Sequence, residues 1–145
     1  MFGEKLPEIG KSENGKPYFT GNSDVHFSLS HCKTHVLCGV SSNPIGVDIE
    51  TPREISRRAE KFFCLPEEQK LFHKLDLWIL KESYIKLIGG NLAMMRSIMF
   101  SRQNGKIIAP DKNVISMLYC VDNCRAAVSS LFAPPPETIE YVSLS

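Results

Sequence analysis

Two carboxylates in the segment Gly46-Val-Asp-Ile-Glu50 have the spacing of a cation site. Alternate residues of a β-strand point to the same face, with Cα atoms about 6–7 Å apart. On a strand, Asp48 and Glu50 would therefore present their carboxylates side by side, and Mg²⁺ prefers a few carboxylates together with water and phosphate oxygens. The same alternation is also normal for a charged face at the surface of a sheet, and spacing alone favours that simpler interpretation.

A second group of charged side chains lies in Trp78-Ile-Leu-Lys-Glu-Ser-Tyr-Ile-Lys86. Trp78, Glu82 and Lys86 fall at i, i+4 and i+8, which forms one stripe on a helix. Glu82 and Lys86 also have the favourable order for an ordinary helix salt bridge, which contributes only about 0.2–0.5 kcal/mol. Such pairs are routine on solvated helices, so the stripe by itself does not identify a site.

Two earlier segments, Gly15-Lys-Pro-Tyr18 and Phe27-Ser-Leu-Ser-His31, carry side chains suited to a phosphate. Small hydroxyls and a histidine at the end of a strand can bind phosphate oxygens. A lone histidine is more often structural or exposed, and spacing does not decide between these roles.

Strands and then helices are predicted to hold these residues. His35–Val40 and Ile45–Glu50 are apolar runs separated by turn residues, which predicts two strands that could pair as a hairpin. Helical spacing predicts helices at 54–63, from Pro66 onward, and at about 77–88. In the last of these, Asp76 would cap the start and Gly89-Gly90 would end the helix.

The chain after Gly90 has the shorter period of strands. Asn104-Gly105 is a strong hairpin turn, and Asp122-Asn123 is predicted to form another. The predicted strands are 97–102, 106–108, 114–121 and 125–132. The order of strands, helices and an antiparallel meander predicts an α+β fold with an antiparallel sheet packed against helices.

Length and composition indicate one soluble globular domain over residues 1–145. Within it, 1–24 is expected to be an irregular lead-in and 133–145 a surface tail. The net charge of +1 gives no reason to expect nucleic acid or a membrane surface as partner. Neither a membrane-spanning run nor a signal peptide is recognisable, so the expected compartment is the cytoplasm. The five cysteines are expected to be reduced and mostly buried, without a metal or disulfide role.

Taken together, the motifs resemble those of the 4'-phosphopantetheinyl transferases, in the class that activates non-ribosomal peptide and polyketide carrier proteins. The resemblance covers roughly residues 14–132. In order, the matching motifs are G-K-P-Y at 15–18, F-x-x-S-H at 27–31, G-V-D-I-E at 46–50, F-F-x-x-x-E at 62–67 and W-x-x-K-E-S-x-x-K at 78–86. The fold it implies is that of the same superfamily.

This resemblance implies transfer of the 4'-phosphopantetheine group from coenzyme A to a serine of an apo carrier protein, acyl or peptidyl, with release of 3',5'-ADP. Asp48, Glu50 and Glu82 would hold Mg²⁺, and Glu82 would be the general base for the serine proton. Lys86, with Lys81 as a weaker candidate, would stabilise the transition state or protonate the leaving group.

Further residues are implied to bind coenzyme A. His31 would contact a nucleotide phosphate with Ser30 beside it, Lys16 would lie near the nucleotide, and Lys86 would contact the donor as well. Glu67 occupies the position of the acidic residue that supports metal or lysine placement in this class.

The chain departs from the class in length. Members are pseudo-dimers of two similar halves, and this chain matches the end of the first half and the whole second half. We expect either self-association into a homo-oligomer or a partner subunit to complete the cleft. The alternative function is a non-catalytic module that binds coenzyme A or a carrier protein. Met94 and Met95 are either an adaptable contact for a carrier helix or core filler.

Overall fold

The computed structural model describes residues 7–21 and 24–143 of the chain. Five short strands come first: β1 Ile9–Lys11, β2 Pro17–Phe19, β3 His26–His31, β4 Val36–Ser41 and β5 Ile45–Glu50. Three helices follow, α1 Arg57–Phe63, α2 Pro66–Gln69 and α3 Lys74–Ile88, and then a 3₁₀ helix, Leu92–Ser97. The last strands are β6 Ser101–Gln103, β7 Lys106–Ile108, β8 Val114–Val121 and β9 Cys124–Leu131.

The α+β prediction is confirmed, with α3 packed across a three-stranded antiparallel sheet of order β5-β9-β8. The predicted core face of α3 is buried, with Leu77, Leu80, Tyr84 and Leu87 all at most 9% exposed. Gly46 of β5 lies so close to α3 that a Cβ there would be 1.9 Å from the Ser83 carbonyl oxygen. The missing side chain therefore lets β5 approach α3, which brings the carboxylates of the two elements together.

The predicted hairpin between 35–40 and 45–50 is wrong, although both strands exist. β4 pairs with β3, with Leu37 opposite Ser30, and β5 pairs with β9, with Asp48 opposite Ala127. Side chains join the two sheets instead: the hydroxyl oxygens of Ser28 and Ser30 accept hydrogen bonds from the N–H groups of Val47 and Ile49, each at 3.1 Å. Serine side chains thus satisfy backbone donors of β5 that a neighbouring strand would otherwise take.

Helix α3 begins at Lys74, three residues before the predicted start, and His73 rather than Asp76 is its N-cap. Asp76 instead accepts two hydrogen bonds from the Arg125 guanidinium on β9, at 2.8 and 3.0 Å. The predicted end is confirmed, because Gly89 adopts a left-handed φ of 69°. The predicted turns are also present, with positive φ at Asn104 and Asp122.

The segment expected to be an irregular lead-in contains the β1–β2 hairpin, in which Gly15 supplies a positive φ of 83°. The Asn14 amide donates to the Gly89 carbonyl at 2.7 Å, which fixes this hairpin to the end of α3. Residues 1–6 and 22–23 of the predicted lead-in lie outside the described residues.

The remaining expectations concern the tail and two methionines. Residues 133–143 form no helix or strand, and the Tyr119 hydroxyl donates to the Pro136 carbonyl at 2.6 Å. Met95 is 1% exposed and belongs to the core, and Met94 packs against it, so the core-filler interpretation is favoured. Within the described part of the chain, no helix combines the length and apolar character needed to cross a bilayer.

Candidate active site

Asp48 is the most deeply buried carboxylate of the predicted cation site, at 6% exposure. Its Oδ1 accepts hydrogen bonds from the Ser30 hydroxyl at 3.0 Å and from the Lys86 ammonium at 3.2 Å. Its Oδ2 is buried and has no hydrogen-bond partner among residues 7–21 and 24–143. A buried oxygen without a partner is unfavourable unless a proton, a water or a ligand satisfies it, so Oδ2 is available to a cation.

Glu82 faces Asp48 from α3 and is half-buried. The pKa of Glu82 is raised to about 7, mainly by burial and also by the negative charges of Asp48 and Glu50, while the Lys86 ammonium opposes the shift. A carboxylate with a pKa near neutrality is a better general base than an ordinary glutamate, because it holds a transferred proton more firmly.

Glu50 completes the carboxylate set from the end of β5. It is half-buried, and its contact with the Arg53 guanidinium is long, at 3.5 Å. The pKa of Asp48 is raised by burial, with Lys86 opposing and the charge of Glu50 adding to the effect. The charges of Glu50 and Glu82 are close enough to Asp48 to interact with it, and carboxylates are the hard oxygen donors that Mg²⁺ prefers.

The two lysines predicted for catalysis lie in different environments. The Lys86 ammonium is 3.2 Å from Asp48 Oδ1 and 3.3 Å from the Leu29 carbonyl, so it belongs to the carboxylate site. Lys81 is completely buried on another face of α3, and its ammonium donates to Glu68 at 2.7 Å and to the carbonyls of Phe63 and Met95. The structure therefore does not bring Lys81 to the carboxylates.

The acidic partner of Lys81 is Glu68 and not its neighbour Glu67, which is exposed. Glu68 also accepts hydrogen bonds from the N–H groups of Leu65 and Phe100, each at 2.9 Å, and is completely buried. The F-F-x-x-x-E motif has its glutamate at position 67, but in the structure the side chain of Glu67 is exposed and that of Glu68 points into the core. Sequence reasoning missed Glu68 because adjacent glutamates differ only in the side of the helix they occupy.

The residues predicted for coenzyme A are divided by the structure. Lys16 donates to the carbonyls of Leu87 at 2.9 Å and Ile45 at 3.2 Å, and with Lys86 it lines a cavity of about 230 Å³. Among the described residues, the lining includes these two lysines and neither an aspartate nor a glutamate, which suits a phosphate. The Ser30 hydroxyl is engaged with Asp48, and His31 is exposed at the end of β3, outside this cavity.

Glu82→Gln is expected to change the pH dependence of the free energy of unfolding. The pKa of Glu82 is raised from 4.5 to about 7 in the folded chain, so the folded state binds this proton more tightly. Its stabilising effect is complete below pH 4.5 and is lost as the pH rises through about 7, whereas the variant has no such titration. Urea unfolding across this range, without divalent cations, should show the wild type losing stability relative to Glu82→Gln.

The matched control for that experiment is Glu67→Gln, which removes one exposed carboxylate outside the site. Parallel pH profiles for wild type and Glu82→Gln would contradict a buried, charge-repelled carboxylate at position 82.

Comparison with known proteins gives one family. A model of the 4'-phosphopantetheinyl transferase superfamily matches residues 44–120. The 4'-phosphopantetheinyl transferase Sfp of Bacillus subtilis is 38% identical over 90% of this chain and 66% of its own length. The 4'-phosphopantetheinyl transferase gsp of Aneurinibacillus migulanus is 42% identical over 54% of this chain and 37% of its own. For HetI of Nostoc sp. the identity is 30%, over 79% and 56%.

The chain thus spans between 37% and 66% of the length of these curated relatives. The matched segment, just over half of the chain, includes β5 and α3 with all four residues of the carboxylate and lysine cluster, Asp48, Glu50, Glu82 and Lys86. The family model matches more than half of the chain, and the matched segment contains the strand and the helix that carry this cluster. The chain therefore belongs to the 4'-phosphopantetheinyl transferase superfamily.

Proposed function

We propose that the chain transfers the 4'-phosphopantetheine group of coenzyme A to a serine of an apo carrier protein and releases 3',5'-ADP. The observation that carries this proposal is Glu82, whose pKa is about 7, beside Asp48 with its unpartnered Oδ2 and the Lys86 ammonium. A general base, carboxylates that can bind a cation and a lysine ammonium in one cluster are what phosphoryl transfer to a hydroxyl requires.

In this mechanism Glu82 accepts the proton of the carrier serine hydroxyl, directly or through one water. The serine oxygen forms a bond to the β-phosphorus of coenzyme A, and the bond from that phosphorus to the bridging pyrophosphate oxygen breaks. Lys86 stabilises the negative charge on the departing 3',5'-ADP, because its ammonium already lies at the edge of the carboxylate cluster.

Asp48, Glu50 and Glu82 are proposed to hold Mg²⁺, which when bound would neutralise charge on the pyrophosphate. The unpartnered Oδ2 of Asp48 supports this assignment. Ser30 orients Asp48 by donating to its Oδ1, and therefore acts on the donor site through that carboxylate.

The cavity between Lys16 and Lys86 is proposed to take a phosphate of the nucleotide. Lys16 makes two hydrogen bonds to backbone carbonyls, which leaves one ammonium N–H for a ligand. His31 is proposed as a further phosphate contact on the strength of the family motif, and Lys81 as a residue that positions α3.

The second candidate is a module that binds coenzyme A or a carrier protein without turnover. It is favoured by the length of the chain, which spans 37–66% of the relatives described above. Each charge-assisted contact missing from the cleft would cost about 1.5–3 kcal/mol of binding free energy. A second copy of the chain or a separate subunit is proposed to supply those contacts.

The experiment is intact-mass analysis of a panel of apo carrier proteins incubated with the purified chain, coenzyme A and Mg²⁺. An established phosphopantetheinyl transferase on the same panel is the positive control. We expect a mass gain of one phosphopantetheine group that disappears when EDTA is added. No gain on carriers that the control modifies, together with Mg²⁺-dependent binding of coenzyme A by calorimetry, would replace the transferase with the binding module.

A further inference from the structure

A second cluster of metal-binding side chain types lies where two hairpins turn, away from the carboxylate site. Cys32 and His35 stand at the two ends of the β3–β4 turn, and Cys124 begins β9 after the turn from β8. The Cys32 and Cys124 sulfur atoms are 3.7 Å apart, and the Cys124 sulfur is 3.8 Å from His35 Nδ1. All three donor atoms lie within 4.8 Å of one another.

These separations are those of a tetrahedral metal site. With Zn–S bonds of about 2.3 Å and a Zn–N bond of about 2.0–2.1 Å, tetrahedral angles require about 3.8 Å between two sulfurs and about 3.6 Å between sulfur and nitrogen. The Thr34 hydroxyl is hydrogen-bonded to Nδ1 at 2.7 Å and lies 3.7 Å from the Cys124 sulfur and 3.8 Å from the Cys32 sulfur, so a polar group borders the three donor atoms.

Asp122 gives His35 the tautomer that a metal needs. The other ring nitrogen, Nε2, lies 2.6 Å from the Asp122 carboxylate, which can only accept a hydrogen bond when ionised. The proton therefore resides on Nε2, and in the neutral ring Nδ1 has a lone pair, which accepts from the Thr34 hydroxyl at 2.7 Å and is available to a cation that displaces this hydrogen bond. A histidine held by a carboxylate in this way is the usual arrangement behind a protein metal ligand.

The sulfur atoms of Cys32 and Cys124 lie together beside the His35 ring nitrogen, in contrast to the exposed thiols of Cys38 and Cys120. Metal ions bind the thiolate form. The expectation that the cysteines are mostly buried is wrong, since Cys38 and Cys120 are exposed and Cys32 is half-exposed. The sequence pattern that indicates this cluster is the Cys-x-x-His spacing of Cys32 and His35.

We propose that Cys32, His35 and Cys124 bind Zn²⁺, or another divalent cation that prefers thiolate, with a water as the fourth ligand. The bound ion would join the β3–β4 turn to the β8–β9 turn. These two turns are distant in sequence, and side chains of this cluster already connect them through the contacts of Cys32, Thr34 and His35 with Cys124 and Asp122. A metal ion bound there would strengthen this connection, so we assign the site a structural role. The proposal does not depend on the transferase activity.

The test is titration of the reduced, metal-free chain with Co²⁺, followed by displacement with Zn²⁺. We expect one equivalent of Co²⁺ to give thiolate charge-transfer absorption and the intense visible bands of tetrahedral coordination, both removed by Zn²⁺. Cys32→Ser should lose at least about half of the thiolate absorption, because only Cys124 remains as a thiolate ligand, and Asp122→Asn should weaken Zn²⁺ affinity by about 10–100-fold. Because Cys124 is buried, Cys32→Ser is the primary variant, with circular dichroism as the check on folding.

Two variants separate this site from other thiols and from the carboxylates. Cys38→Ser changes an exposed cysteine outside the cluster and should leave the spectrum unchanged. Asp48→Asn should also leave it unchanged, since an oxygen site gives no thiolate charge transfer. An unaltered spectrum in Cys32→Ser, octahedral Co²⁺ without thiolate absorption, or a Cys32–Cys124 disulfide that forms with no metal bound would overturn the proposal.

Discussion

Glu82→Gln is expected to reduce the rate of phosphopantetheine transfer by about 10²–10⁴-fold, the usual contribution of a positioned general base. Glutamine preserves the size of the side chain and its helix propensity but cannot accept the serine proton. Glu82 is half-buried on α3, and its charge is already opposed by Asp48 and Glu50, so loss of the charge should not unfold the chain. The measurement is kcat with a modified carrier detected by intact mass, beside circular dichroism of the variant.

The pH profile distinguishes a base from a residue that only shapes the site. The wild-type rate should rise as Glu82 loses its proton, around its pKa of about 7 without bound cation and at lower pH when a cation favours the carboxylate. The small residual rate of Glu82→Gln should lack that inflection. Glu67→Gln, an exposed carboxylate on α2, is the matched control and should keep both rate and profile. Full activity in Glu82→Gln would remove the role of base from this residue.

Lys81→Met should lower the free energy of unfolding by about 3–5 kcal/mol, since removing one member of a buried pair leaves the other charge uncompensated. The Lys81 ammonium has three N–H groups and three acceptors, Glu68 and the carbonyls of Phe63 and Met95, and both charged side chains are completely buried. Methionine fills a similar volume but satisfies none of these acceptors. Urea unfolding of both proteins gives the difference.

Two further variants make that result specific. Adding Glu68→Gln to Lys81→Met removes the unpaired charge and should recover part of the loss. Lys74→Met breaks an ion pair with Glu60 in which the lysine side chain is 43% exposed, so it should cost no more than about 1 kcal/mol. Equal losses from Lys81→Met and Lys74→Met, or no recovery in the double variant, would contradict a buried ion pair as the support of α3.

The Lys81 variant also bears on catalysis. A residue that positions α3 should affect transfer through stability, so Lys81→Met should regain most of its rate at low temperature, where it is folded. Lys86 contacts Asp48 directly, and no such recovery is expected for Lys86→Met.

Individual strands, helix ends and turns of this protein could be predicted from its amino-acid sequence. The apolar run at 45–50 and the turn residues before it predicted strand β5 with its observed bounds, and helical spacing together with Gly89 predicted the end of α3. Asn104-Gly105 predicted a turn that the positive φ values confirm. These features depend on backbone preferences and neighbours within a few residues, which a single sequence carries.

The pairing of strands and the contacts between distant elements could not be predicted from local sequence and are seen in the tertiary structure. β5 pairs with β9, about eighty residues further along, and not with β4, because serine hydroxyls of β3 already serve its other edge. The choice of Glu68 over Glu67, the separation of Lys81 from Lys86, and the meeting of Cys32, His35 and Cys124 have the same origin. Each depends on which face is buried against a distant element, and that is set by packing of the whole domain rather than by local spacing.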